Sequence, residues 1–279
     1  MKNRNFNSGK RKSSAKGTKK SYSSGFKSER RSIHLQNNPE WPMRLNKFIA
    51  HCGICSRRDA ADLVKAGKVT VNDLLVVEPG VTVEKTDVVK YEGKRLKLEE
   101  RKVYYLLNKP KDYITTLSDE KGRKTVLDIF KDKVTERIFP VGRLDRNTTG
   151  LLLLTNDGDL AQKLSHPSRN VSKVYHVTLN KNITEDHFER IRAGLTLEDG
   201  LTVVDAVNYM TLGGPLNEAG IEIHSGKNRI VRRIFEHLGF EVIKLDRIIY
   251  AGLTKKDLTR GRFRALTDRE IIMLKHFTS

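Results

Sequence analysis

Leu45, Phe48 and Ile49 recur at i, i+3 and i+4, the spacing of one helical stripe, and Gly53 marks its end. Ser56-Arg57-Arg58-Asp59 has the form of a capping box. It predicts a second helix with Ala60, Leu63 and Val64 on the inner side and Gly67 beyond its end, so two short helices meet at a turn. Val69, Val71, Val76, Val77, Val81 and Val83, interrupted by Asn72-Asp73 and Pro79-Gly80, read as short strands in a tight curl. The charged stretch from Glu92 to Lys102 reads as a linker.

From about Val103 the pattern is mixed, without the strand-helix alternation of a doubly wound sheet, and this points to an α+β class. Strands are predicted at 103–107, 151–155, 173–179, 201–207, 221–224 and 242–245. Helices are predicted at 161–165, 183–193, 228–238 and 268–276, the last opened by a second capping box, Thr267 to Glu270. Leu151 to Leu154 has no polar alternation, so it reads as a strand buried on both faces.

Charge changes the picture. The 279 residues carry 53 Lys or Arg against 34 Asp or Glu, a net +19, as expected of a protein that meets a polyanion. Residues 1–40 hold eleven of the cations and two acids with almost no aliphatic side chains, and are expected to be a disordered basic tail, either an arm that seeks RNA or a solubilising extension. The longest apolar runs are four or five residues, against roughly 20 for a bilayer span. With no apolar signal core and only two cysteines, a soluble, cytoplasmic protein is expected.

Candidate chemistry concentrates at Gly142-Arg143-Leu144-Asp145-Arg146-Asn147-Thr148-Thr149-Gly150, a polar, glycine-bounded loop that feeds into the buried leucine run. An Asp before a strand is commonly a turn former. Asp145, however, sits between Arg143 and Arg146, and neighbouring cations keep a carboxylate ionised, the state nucleophilic catalysis needs. Tyr175, Val177 and Leu179 lie on one face of an alternating strand, which suits core packing as well as a site. Lys227, Arg229, Arg232 and Arg233 open a predicted helix, where cations oppose the dipole and an external anion would compensate.

The run Gly142 to Gly158, GRLDRNTTGLLLLTNDG, closely resembles the signature of the RsuA-type family of ribosomal RNA pseudouridine synthases. Leu106-Leu107-Asn108-Lys109-Pro110, Lys173-Val174-Tyr175 and Gly226 to Arg233 (GKNRIVRR) agree with that family in the same order. The Met43 to Leu98 unit, with Arg44 to Phe48, Ser56 to Arg58 and Gly67 to Asn72, looks like the S4 RNA-binding module that commonly precedes such a domain. The resemblance implies a basic tail (1–40), an S4-like domain (43–100) and a catalytic domain (101–279) on a mixed, largely antiparallel sheet.

It further implies a cofactor-free isomerase that turns uridine into pseudouridine in ribosomal RNA, with a lean towards the large subunit. Asp145 matches the catalytic aspartate, which acts either by attack on C1′ or by proton abstraction from C2′; Tyr175 matches the tyrosine that packs on the base, and Arg232 the arginine that pairs with the aspartate. Lys47, Arg57, Arg58, Lys65, Lys68, Arg143, Lys227, Arg229 and Arg233 are the expected RNA-binding cations, reading shape and phosphates. The partner implied is ribosomal RNA or a pre-ribosomal particle, bound by a monomer away from any membrane. Two positions depart from the pattern: Asp112 where many relatives have Gly, and Ser225 where a glutamate is common. Cys52 and Cys55 have CxxC spacing beside His51 but lack a second ligand pair, so no metal site is expected. The competing class is a non-catalytic S4-type RNA-binding or ribosome-assembly protein, which would have no chemical reason to keep Asp145, Tyr175 and Arg232 together.

Overall fold

A computed structural model of the chain describes residues 40–99 and 101–276. The basic tail expected over 1–40 therefore lies, but for Glu40, outside the described residues. Among those residues no helix is long and apolar enough to cross a membrane.

The two helices of the first unit form where the pattern predicts them, with Ala60 and Val64 but not Leu63 in the core, while Val76 and Val77 lie outside any strand. Helix α1 (Leu45–His51) and helix α2 (Arg57–Lys65) pack through Leu45, Phe48, Ile49, Ala60 and Val64. Ser56 caps α2: its Oγ accepts from the Asp59 amide at 3.2 Å while the Asp59 carboxylate accepts from the Ser56 amide at 3.3 Å. Four of the short strands that follow, β1 (Val69–Val71), β2 (Leu74–Leu75), β3 (Val89–Tyr91) and β4 (Lys94–Arg95), form an antiparallel sheet in the order β2-β1-β3-β4, while Thr82–Val83 pairs with Met43–Arg44 ahead of α1. The linker expected from Glu92 onward is not one at its start. Glu92 and Gly93 take positive φ (47° and 78°) to turn β3 into β4, and Leu96 and Leu98 pack on the same core.

The second unit holds a sheet in the order β8-β9-β7-β10-β6-β5-β11. Its main strands are β5 (Tyr104–Lys109), β6 (Thr149–Thr155), β7 (Lys173–Leu179), β8 (Ala206–Tyr209), β9 (Glu218–Ile223), β10 (Val242–Tyr250) and β11 (Phe263–Ala265), with Phe139–Pro140 added on β6 and Leu253–Thr254 on β10. Every pairing is antiparallel except β6 with β10, which run parallel through Thr149↔Asp246 and Gly150↔Arg247. The sheet is thus mixed and largely antiparallel, and the class is α+β. Leu151 to Leu154 are fully buried and alternate between two cores, Leu152 and Leu154 in one, Leu151 and Leu153 in the other. Helices α4 (Glu185–Ala193) and α5 (Ile230–His237) cover the first face; α3 (Gly158–Ser165) and α6 (Asp268–His276) cover the second.

Two predicted strands change. The one expected over 201–207 is split: Gly200–Thr202 pairs back on Leu195–Leu197 as a hairpin, and the main sheet resumes at β8. The one expected over 242–245 runs on to Tyr250, because Asp246 and Arg247 break the apolar pattern while remaining in the ladder.

Candidate active site

The loop that carries Asp145 is clamped from three sides before any of its side chains is considered. Lys109, the last residue of β5, is wholly buried, and its Nζ donates to the carbonyls of Asp145 (3.0 Å), Arg146 (3.2 Å), Thr148 (2.8 Å) and Pro110 (3.2 Å). Burial pushes this ammonium down to about 8, against the pull of Asp145 and then Asp112. The Asp112 amide donates to the Arg146 carbonyl (2.9 Å), and Thr115 Oγ1 donates to the Leu144 carbonyl (2.9 Å). Asp112 holds φ 70°, a left-handed conformation that an Asp tolerates. Gly150 then seats the loop on the sheet. At φ 103° its missing side chain lets the Arg247 backbone approach so closely that a Cβ would lie 2.3 Å from the Arg247 carbonyl oxygen.

The loop so held presents Asp145 to two arginines. Arg229 Nη1 lies 3.6 Å and Arg232 Nε 3.9 Å from Asp145 Oδ2. Arg232 is aimed by the sheet: its Nη1 donates to the Val242 carbonyl of β10 at 2.8 Å, and its buried Nε has no hydrogen-bond partner. Arg229 is the residue before α5 and takes a left-handed conformation (φ 48°, ψ 28°) that turns the chain into the helix.

Asp145 and Tyr175 line one cleft of about 190 Å³, together with Arg143, Lys173, Arg229 and Arg247. Tyr175, on β7, is buried and stands in register with Arg247 of β10. Of the other expected RNA-binding cations, Lys227 and Arg233 are held by Asp199, in the turn of the Leu195–Leu197 hairpin. They hold Asp199 in turn at about 2. For these two the compensating anion expected from outside the protein is supplied from within it. Arg57, Arg58, Lys65 and Lys68 are exposed on the first unit, Lys68 against Glu92. Lys47 is tied to Asp159 at 2.7 Å, a contact between the two units.

Burial pushes the Cys52 thiol up to about 12 and the Cys55 thiol upward as well. Among the described residues no cluster of His, Cys, Asp and Glu is placed to hold a metal ion. Sequence reasoning did not assign roles to Lys109, Thr115, Asp199 or Arg247. Of these, Lys109 falls within the Leu106 to Pro110 segment that agrees with the family, which assigned it no role.

Comparisons with known proteins agree with this geometry. The family model described as RNA pseudouridylate synthase matches residues 103–237, and that of the S4 domain matches residues 43–89. Over 234 residues the chain is 43% identical to ribosomal large subunit pseudouridine synthase B of Bacillus subtilis, covering 83% of this chain and 95% of that one. It is 36% identical to a protein of the same name from Pseudomonas aeruginosa, covering 85% of this chain and 63% of that one. A crystal structure of a pseudouridylate synthase superposes with a TM-score of 0.60 at 28% identity, over 83% of this chain and 99% of that one. With the signature loop seated as the fold requires and an S4 domain ahead of it, the chain belongs to the RNA pseudouridine synthases.

Proposed function

We propose that this protein isomerises a specific uridine to pseudouridine in ribosomal RNA of the large subunit, with Asp145 as the catalytic carboxylate. The observation that carries the reading is that Asp145, on a loop clamped by Lys109, shares one cleft with Tyr175 while Arg232 reaches its carboxylate from the covering helix. The relatives named for large-subunit RNA support the substrate class. The reaction is balanced within the nucleotide: the N1–C1′ bond breaks, the base turns, C5 bonds to C1′, C5 loses its proton and N1 gains one. Asp145 acts on the sugar, at C1′ or at the C2′ proton, while Arg232 and Arg229 hold its charge and orientation. Tyr175 packs against the extruded base and assists removal of the C5 proton.

Arg57, Arg58, Lys65 and Lys68 of the S4 domain engage the RNA backbone, joined by Arg143 at the cleft mouth. Lys47, Lys227 and Arg233 reach RNA by exchanging their present carboxylate partners for phosphates, and Arg229 by giving up Glu236 while it keeps Asp145. The domains are taken as 43–100 and 101–279 behind the 1–40 tail. The protein is read as a cytoplasmic monomer acting on ribosomal RNA or a pre-ribosomal particle. The test is tritium release from C5-labelled uridine in ribosomal RNA, measured beside RNA binding. Asp145→Asn should bind RNA as before and release no detectable tritium. Near-normal release by that variant would overturn the assignment.

A further inference from the structure

The cleft has a second positive pole, separate from the Asp145 cluster. Arg247 is 3% exposed, and its Nε–H donates to the Leu151 carbonyl at 2.7 Å. Nη2 is buried without a hydrogen-bond partner, and the guanidinium lies 4.5 Å from the centre of the Tyr250 ring. Lys173 stands opposite Tyr250 across the β7·β10 ladder, as Tyr175 stands opposite Arg247. Its Nζ donates to the Val171 and His224 carbonyls, both at 2.7 Å. Among the described residues no carboxylate lies within ion-pair distance of Lys173 or Arg247, although both line the cleft. Asp145, the carboxylate on the same cleft, is engaged by Arg229 and Arg232.

A buried guanidinium beside a half-buried ammonium, with only the more distant Asp205 acting on the ammonium, is incompletely compensated, and a guanidinium edge without acceptors is costly again. The ring of Tyr250 answers part of the charge but none of the N–H groups. The arrangement is complete only when an anionic oxygen enters the cleft.

We propose that Lys173 and Arg247 form a phosphate-binding pole that takes a phosphodiester flanking the extruded uridine and thereby sets the depth to which the nucleotide enters. The inference rests on the uridine-isomerising reading and deepens it. A neutral uracil carbonyl would fill one N–H but leave the paired charge unanswered, so the phosphate is the fitting ligand. Anchored there, the sugar is held beside Asp145 by a group that takes no part in bond making, which makes Lys173 and Arg247 positioning residues.

The full chain is titrated with uridine, uridine 5′-monophosphate, uridine 3′-monophosphate and inorganic phosphate, with binding followed by calorimetry. At least one nucleotide should bind about tenfold or more tightly than uridine, and the better isomer identifies which flanking phosphate is read. Arg247→Met and Lys173→Met should each bring that nucleotide down to the level of uridine, with uridine itself unchanged. Because Arg247 also holds the Leu151 carbonyl, Lys173→Met carries the test if Arg247→Met fails to fold. Equal binding of uridine and both nucleotides, or no binding of any of them, overturns the proposal. Tighter nucleotide binding that both folded variants retain overturns it too. A protein that prefers the nucleotide through these residues but releases no tritium from ribosomal RNA leaves the pole standing and refutes the catalytic reading instead.

Discussion

Replacing Lys109 by Met tests whether a buried ammonium, outside the reacting groups, holds the catalytic loop. Met keeps most of the aliphatic stem and removes the donor to four carbonyls, three of them on the loop at Asp145, Arg146 and Thr148. An orphaned buried acceptor costs about 1–3 kcal/mol, so the three loop carbonyls put roughly 3–9 kcal/mol at stake. Against this stands the relief of a buried charge. The gap between the ordinary lysine value of 10.5 and about 8 corresponds to about 3 kcal/mol. The net destabilisation expected is therefore roughly 0–6 kcal/mol, centred on about 3 kcal/mol, and a shift of the Asp145 carboxylate by about 1 Å should lower kcat on the order of a hundredfold.

The pH dependence supplies an independent signature. Because the folded-state value lies below the unfolded one, the unfolded chain binds more protons between about 8 and 10.5, and stability rises with pH across that window. Lys173, also pushed down to about 8 by burial, contributes in the same sense, so Lys109→Met should lose only part of the rise. The assays are denaturant unfolding from pH 7 to 10.5 and single-turnover tritium release. A variant with kcat within threefold of the parent and an undiminished rise would refute the clamp.

Three further outcomes are expected. Gly150→Ala drives a Cβ into the Arg247 backbone at a positive φ, so it should destabilise the protein by more than about 3 kcal/mol or prevent folding, read by thermal unfolding and soluble yield. Arg57→Ala with Arg58→Ala should weaken capture of ribosomal RNA while leaving the saturated single-turnover rate within about twofold, since these side chains are exposed on the S4 domain; collapse of that rate would move them into the active site. Asp199→Asn frees Lys227 and Arg233, so RNA should bind several-fold more tightly with a steeper dependence on log salt, and an unchanged slope would count against exchange of those partners.

Local chemistry alone determined a good deal of this protein. The capping boxes at Ser56 and Thr267 form where residue type and spacing allow, because a cap is completed within one turn of chain. The unbroken leucines of β6 had to be buried on both faces, and the glycine-bounded loop before them had to be a seated turn. What tertiary structure decided is every feature that depends on distant segments meeting. Arg232 reaches Asp145 only because β10 offers the Val242 carbonyl to hold it, and β10 lies beside β6 only because Gly150 lets two backbones nearly touch. Val242 to Tyr250 was hard to read as one strand because the charges that interrupt it serve the interior. Asp246 is paired with Lys255 and Arg260, and Arg247 faces the cleft. Lys109 and Asp199 were silent for the same reason. A lysine ending a strand and an aspartate in a turn look like ordinary surface residues until the fold sets three loop carbonyls around the one and two cations against the other, and one-dimensional periodicity carries no information about such distances.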